Sequence, residues 1–225
     1  MIEQTGIDLG LGVIRTITVR QIKRNTKPRV MSVGSFMYDQ HDYREGLAAC
    51  AAAHDLSIPV IVSFPFTQIW MTQLDDPWPK SPIASEQQYL ATVAQHTWGV
   101  GCEDVRLDRV VCSPTTAFCI AARIEAITTL TRSVSAFFPH IRAIAVDAFA
   151  LMRAMHTIPP EFCYVHDAYG QRWFQIQAGV PVRSAATSGT HLASPWLDTP
   201  LTYAHELNAW TICRGLATWG FTTPI

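Results

Sequence analysis

The stretch Gly6-Ile7-Asp8-Leu9-Gly10-Leu11-Gly12-Val13-Ile14-Arg15 predicts a strand, a tight turn and a second strand, and the choice of fold depends on it. An aspartate at the end of a strand, followed by a Gly-x-Gly turn, suits phosphate chemistry. The carboxylate can reach a hydrated metal ion, while the glycines let backbone amides approach a phosphate. The same pattern also makes an ordinary hairpin turn in which Asp8 organises its own backbone. The stretch by itself leaves both interpretations open.

The composition indicates a folded chain with a substantial apolar core. Of its 225 residues, 48% are hydrophobic and 16% are charged, enough for one large domain or two small domains that share a cleft. The formal net charge of -1 gives no electrostatic reason to expect nucleic acid or an anionic lipid surface as a direct partner. The six cysteines lack Cys-x-x-Cys spacing, so we expect buried thiols and neither disulfides nor a zinc site.

We also expect a soluble, cytoplasmic protein. The first residues lack the charged and apolar regions of a signal peptide. The uncharged stretch from Leu56 to Leu74 approaches the length of a membrane span, but Pro59 and Pro65 interrupt it. We therefore interpret it as two short strands.

Hydrophobic periodicity predicts strands and helices along the whole chain. Strands are predicted at residues 30–38, 59–64, 69–74, 105–112, 117–122 and 141–146, and a hairpin at 162–178 around Asp167-Ala168-Tyr169-Gly170. Helices are predicted at residues 41–54, 125–136, 147–155 and 202–218, and from a capping box at Ser85 and Gln88. Residues 187–200 are predicted to form a loop.

Several segments follow the opening stretch in a definite order. They are Ile61-Val62-Ser63-Phe64-Pro65, Asp104-Val105-Arg106-Leu107-Asp108, Ala121-Ala122-Arg123 and Ala145-Val146-Asp147-Ala148-Phe149-Ala150-Leu151. In this order and spacing they resemble PilM, the actin-like cytoplasmic component of type IV pilus assembly systems, and its short relatives in competence and DNA-uptake operons. The resemblance covers most of residues 6–155.

The resemblance implies an α/β, actin-like (ribonuclease H-like) fold with two lobes and mixed sheets. The first lobe would be residues 1–137, with an inserted β-α-β-β-α subdomain at about 67–137. The second lobe, residues 138–225, is expected to be truncated. Too few residues separate Thr190 from the last helix for the insertion that the family carries there, so a subdomain that covers the nucleotide would be missing.

The resemblance also implies where a nucleotide would bind. Asp8, Gly10, Gly12 and Arg15 correspond to the first phosphate loop of the family, and Asp167 corresponds to its second phosphate turn. Arginine can still bind phosphate, so Arg15 is compatible with a nucleotide even though the family commonly has a lysine there.

Other positions depart from the family pattern. Leu11 and Val13 stand where serines are usual, and Tyr169 replaces a glycine that would permit close approach to phosphate. Since each lost hydrogen bond to a charged phosphate costs about 1.5–3 kcal/mol, we expect a degenerate site. Our expectation is therefore no cofactor, with ATP and magnesium bound weakly if they bind, no metal site and no catalytic residue.

On this basis the expected function is that of a non-catalytic cytoplasmic scaffold in a type IV pilus or DNA-uptake assembly. It would lie at the inner-membrane face and bind the cytoplasmic tail of a membrane-anchored PilN-like partner, without direct contact to nucleic acid. The alternative is an active actin-like ATPase or small-molecule kinase that uses Asp8 and Asp167. A further alternative is the related cytoplasmic domain of a type II secretion membrane protein.

Overall fold

The computed structural model describes residues 1–23, 26–39, 42–74, 85–113, 116–155, 162–177, 180–182, 206–207 and 210–221. These residues belong to two compact units, one formed by Met1–Phe66 with Ser133–Ile225 and the other by Thr67–Arg132. The predicted boundary between the two lobes, at residue 138, falls inside the first unit. This boundary stays a prediction.

The elements are numbered here in chain order. The strands are β1 (Ile2–Leu9), β2 (Val13–Gln21), β3 (Arg29–Met37), β4 (Val60–Phe64), β5 (Ile69–Gln73), β6 (Val105–Ser113), β7 (Thr116–Arg123), β8 (Ile141–Val146), β9 (Phe162–Asp167), β10 (Gly170–Gln177), β11 (Val180–Val182) and β12 (Glu206–Leu207). The helices are α1 (Arg44–Ala52), α2 (Glu86–Trp98), α3 (Ile124–Ser135), α4 (Asp147–Ala154) and α5 (Thr211–Ala217).

The main sheet of the first unit is mixed, with the strand order β3-β2-β1-β4-β8. β1, β2 and β3 are antiparallel neighbours, whereas β4 runs parallel to β1 and to β8. All five residues of β4 are buried, as expected for a parallel strand that is covered on both faces. The register places Asp8 opposite Arg15, so both side chains lie on the same face of the sheet.

Helix α5 packs closely against β1 and α4. A Cβ atom on Gly6 would lie 2.5 Å from the carbonyl oxygen of Cys213, and one on Gly215 would overlap the backbone of Ala150. The buried Gln4 donates to the carbonyl oxygen of Ala217 at 2.7 Å, which fixes the end of α5 to the first strand. Glycine at these two contacts therefore allows the backbones to approach.

The helix predicted at residues 202–218 is wrong in its first part. Glu206–Leu207 form β12, which pairs parallel with β9, and the helix begins only at Thr211. The predicted hairpin is confirmed, because β9 and β10 pair antiparallel with Asp167 opposite Gly170. The second sheet of this unit has the order β11-β10-β9-β12. The loop predicted at residues 187–200 lies outside the described residues.

The second unit contains the three-stranded sheet β5-β7-β6 and helix α2. The predicted capping box of α2 is confirmed: the Ser85 hydroxyl accepts from the Gln88 amide, and the Gln88 side chain accepts from the Ser85 amide. Leu90 and Ala94 of this helix pack into a buried cluster with strand residues such as Leu107, and Trp70 stacks on Trp98 at the edge of that cluster. None of the helices in the described residues is both long and apolar enough to span a membrane.

The contact between Gly215 and Ala150 gives a test of the packing of α5. Gly215→Ala should lower the free energy of unfolding by about 3 kcal/mol or more, because the new methyl group overlaps a backbone that is held by a buried helix. Urea denaturation measures this change. Gly99→Asn is the control, since Gly99 has φ of 66° with no atom near its Cβ position, and asparagine tolerates that conformation. Equal losses in the two variants would contradict the packing argument.

Candidate functional site

The structure brings the five residues of the predicted nucleotide site together in the first unit. Asp8 is the last residue but one of β1, Gly10 and Gly12 lie in the β1–β2 turn, Arg15 lies on β2, and Asp167 ends β9. The Asp167 carboxylate accepts from the Leu11 amide at 3.1 Å and from the Arg15 guanidinium at 2.6 Å. The second predicted phosphate turn, through Asp167, therefore contacts the first one directly.

Arg172 on β10 is the residue at the centre of this arrangement, and the sequence analysis missed it. Its Nη1 and Nη2 atoms donate to the two carboxylate oxygens of Asp8 at 2.9 and 2.6 Å, and its Nε donates to Asp167 at 2.6 Å. The predicted hairpin could have indicated this contact. The pairing of Asp167 with Gly170 places the side chain of residue 172 on the same face of the hairpin as Asp167, in a diagonal position.

A third carboxylate, that of Asp147 at the start of α4, also faces Arg172. It accepts from the Phe66 amide at 2.9 Å and from the Ala148 amide at 2.7 Å, and it lies 3.5 Å from Arg172 Nη1. The sequence analysis included Asp147 in the family-like segments but not in the site. Burial raises the pKa of Asp147 to about 6, the negative charge of Asp8 adds to the shift, and Arg172 opposes it.

We call these five side chains the ion-pair cluster: Asp8, Arg15, Asp147, Asp167 and Arg172. The side chains of Asp8 and Asp167 are 0% exposed, and those of Arg15 and Arg172 are 8% and 13% exposed. Burial alone would lower the pKa of the Arg172 guanidinium, but the neighbouring carboxylates outweigh it and raise that pKa. The Arg172 guanidinium therefore stays charged and neutralises carboxylates that are shielded from water.

Two tyrosines close over the Gly10–Gly12 turn. The ring of Tyr169 occupies the space that a Cβ atom of Gly12 would need, and its backbone amide donates to the Leu11 carbonyl at 3.2 Å. The hydroxyl of Tyr38 donates to the Gly10 carbonyl, and the Tyr38 amide donates to the Gly12 carbonyl at 3.1 Å. Tyr169, which departs from the family pattern, thus fills the place next to the turn where a phosphate would need room.

The residues of this site do not fit magnesium and ATP in their present arrangement. The Leu11 amide is used by Asp167, and both oxygens of Asp8 are used by Arg172. Among the described residues, no buried side-chain nitrogen or oxygen lacks a hydrogen-bond partner, and no three His, Cys, Asp or Glu side chains are placed to hold a metal ion. The polar groups of this site are therefore paired with groups of the protein itself.

Replacement of Arg172 tests how much the ion-pair cluster contributes to the stability of the fold. Arg172→Leu should lower the free energy of unfolding by about 3–5 kcal/mol, because it leaves buried carboxylates without their counter-charge. Urea denaturation measures the change. Arg20→Leu is the matched control, since Arg20 pairs with Glu3 but its side chain is 39% exposed, and a much smaller loss is expected there. A similar small loss for Arg172→Leu would show that the cluster does not hold the fold.

Asp147 should make stability depend on pH. Its pKa is about 6 in the folded protein and 3.8 as the ordinary value, so the fold favours the protonated form. The penalty for ionisation is absent below pH 4, grows as pH rises to about 6, and reaches on the order of 3 kcal/mol. Asp147→Asn removes this penalty while its side-chain oxygen can still accept from the Phe66 amide.

The variant should therefore gain stability relative to the natural protein as pH rises from 4 to 7, as measured by urea denaturation at several pH values. Glu45→Gln, at an exposed position of α1, should follow the natural protein throughout. Parallel profiles for Asp147→Asn and the natural protein would contradict the raised pKa.

No protein-family model matches this sequence, and no curated protein has a sequence similar enough to match it. Solved structures are similar. The cytoplasmic domain of EpsL, an inner membrane component of the type II secretion system of Vibrio cholerae, aligns with a TM-score of 0.53 and 16% identity over 80% of this chain and 71% of that one. A chain of the PilM–PilN type IV pilus biogenesis complex aligns with a TM-score of 0.58 and 14% identity over 81% of this chain.

This chain spans 60% of the length of the matched chain in the PilM–PilN complex. A third structure, from Bacteroides thetaiotaomicron and described as having an actin-like ATPase fold and unknown function, aligns with a TM-score of 0.43, which does not by itself show a common fold. The likeness to EpsL and to the PilM–PilN complex extends over about four fifths of this chain and shows the fold. The chain has the mixed α/β, actin-like fold that its resemblance to PilM implied.

Proposed function

We propose that this protein is a non-catalytic scaffold of a type IV pilus or DNA-uptake assembly, located in the cytoplasm at the inner-membrane face. The observation that carries the proposal is the ion-pair cluster at the Gly10–Gly12 turn. Side chains of the protein occupy the groups that would otherwise bind a nucleotide and its metal ion. An actin-like fold in which this turn is occupied by the protein's own side chains suits a binding role better than a hydrolytic one.

The energetic argument follows from the contacts of Asp167. A phosphate at the turn would have to displace this carboxylate from the Leu11 amide and from Arg15. Losing two hydrogen bonds of this charged type costs about 3–6 kcal/mol, which raises a dissociation constant by roughly two to four powers of ten. The carboxylates of Asp8 and Asp167 would also repel the phosphate. We infer that ATP is not a working ligand of this protein.

The partner that we propose is the cytoplasmic tail of a membrane-anchored PilN-like protein. Support comes from the fold, since one of the similar structures is a complex of PilM with PilN. A short tail that binds in an extended conformation would be held by backbone hydrogen bonds and apolar pockets. The net charge of -1 gives no reason to add nucleic acid as a direct ligand.

Calorimetry with two probes tests this function. The first probe is a synthetic peptide that reproduces the cytoplasmic tail of the PilN-like membrane protein encoded beside this chain, and the second is ATP with magnesium. We expect saturable one-to-one binding of the peptide, no binding of a peptide with the same composition in scrambled order, and no heat from ATP. Absence of peptide binding in the natural protein would overturn the partner assignment.

The enzyme alternative requires a separate assay of ATP turnover. Asp8→Asn keeps the size of the side chain and removes the negative charge that a metal ion would need. We expect no turnover in the natural protein and no difference in this variant. Turnover that Asp8→Asn abolishes would establish the ATPase or kinase alternative and remove the scaffold proposal.

A further inference from the structure

The basic residues of this chain are concentrated at the connection between β2 and β3. Residues 20–29, which we call the basic hairpin, hold five of the 17 lysines and arginines and none of the 18 acidic residues. No aspartate or glutamate occurs between Asp8 and Asp39. The rest of the chain then has 12 basic and 18 acidic residues, a net charge of -6. The overall charge of -1 therefore conceals a strongly basic segment, made of Arg20, Lys23, Arg24, Lys27 and Arg29.

The turn of the basic hairpin lies beyond the end of the main sheet. β2 ends at Gln21 and β3 begins at Arg29, so residues 22–28 extend past both strands. The amide and the hydroxyl of Thr26 both donate to the Lys23 carbonyl, at 3.0 and 2.8 Å. The buried Gln21 side chain donates to the Thr26 carbonyl at 2.7 Å. The turn is thus held by bonds within the hairpin itself.

Most of the charge of the basic hairpin is not neutralised by the protein. Lys23, Lys27 and Arg29 are exposed, and none of them forms an ion pair with a carboxylate of the described residues. Arg20 differs, because it donates to both carboxylate oxygens of Glu3, at 2.8 and 3.3 Å. Arg29 lies directly opposite Arg20 in the ladder, where like charges destabilise a strand pair. Contacts within the hairpin therefore do not account for its charge, which is available to an anionic ligand.

Exposed apolar side chains lie at the same end of the main sheet. Ile22, which precedes Lys23, is 57% exposed, and Ile2, which lies opposite Gln21 in the β1–β2 ladder, is 40% exposed. An acidic peptide or a nucleic acid in water would be held by the cations and would gain little from these two side chains. A membrane surface offers phosphate groups to the cations and acyl chains to the apolar side chains. The combination therefore favours an anionic lipid surface as the ligand.

We propose that the basic hairpin binds the surface of a membrane that contains anionic phospholipids. Its cations contact the headgroups, and Ile2 and Ile22 reach the boundary between headgroups and acyl chains. Each lysine or arginine near such a surface strengthens binding about fivefold, so the four cations other than Arg20 together supply about three powers of ten. The contact is reversible and weakens as the salt concentration rises. This surface goes beyond the proposed binding of a membrane-protein tail and does not depend on it.

Co-sedimentation of the full chain with lipid vesicles, without any protein partner, tests the basic hairpin. We expect saturable binding to vesicles of phosphatidylcholine mixed with phosphatidylglycerol, and no binding to vesicles of phosphatidylcholine alone. Lys23→Gln combined with Lys27→Gln should weaken binding about twentyfold, because two cations are lost. Arg44→Gln combined with Arg106→Gln is the matched control. It makes the same change in net charge at exposed residues of α1 and β6, and it should bind as the natural protein does.

The apolar contact is tested by Ile22→Asn, which keeps the charge of the hairpin. This variant should bind the anionic vesicles at least about threefold more weakly, because less apolar surface leaves water on binding. Leu56→Asn, at a residue that is 39% exposed in the loop after α1, should bind as the natural protein does. Circular dichroism checks that each variant is folded.

Four results would overturn the proposal. They are equal binding to both kinds of vesicle, full binding by the double lysine variant, full binding by Ile22→Asn, and tighter binding of polyglutamate or duplex DNA than of the anionic vesicles. The last result would identify an acidic peptide or a nucleic acid as the ligand of the basic hairpin.

Discussion

The first unit depends on the contact between one buried guanidinium and two buried carboxylates. Arg172 comes from β10 of the second sheet, Asp8 from β1 of the main sheet, and Asp167 from the end of β9. A charge on any one of them would be costly in the interior if its partners were absent. The main sheet and the second sheet are therefore joined by groups that cannot separate without leaving a charge unpaired in the interior.

This arrangement changes what the turn at Gly10 and Gly12 does. A turn that binds a phosphate must keep its amides available and its surroundings open. Here the amide of Leu11 is bound by Asp167, and the ring of Tyr169 lies against Gly12. Both glycines still permit close approach, but the groups that approach belong to the same protein: the Asp167 carboxylate at Gly10 and the Tyr169 ring at Gly12. The geometry of the turn is thus maintained by contacts within the protein.

The parts that could be predicted from sequence are those that local patterns determine. The buried strand β4, the capping box at Ser85 and the hairpin at Asp167 each follow from a few neighbouring residues. The contact of Asp147 with Arg172 joins segments that are distant in sequence, so no local pattern reports it. The wrong helix at residues 202–218 has the same origin, because Glu206–Leu207 form a strand only through pairing with β9.

The charge balance of the ion-pair cluster also affects how an ion from solution would compete with Arg172. Three carboxylates face two guanidiniums, so an anion such as phosphate meets an excess of negative charge. A cation meets favourable charge but must displace a group that is attached to the same chain, and a tethered group acts at a high effective concentration. The planar guanidinium of Arg172 also donates to two carboxylates at once. A hydrated metal ion cannot bind both carboxylates without losing water. The negative charge of the cluster therefore disfavours an anion, and the covalent attachment of Arg172 disfavours a competing cation.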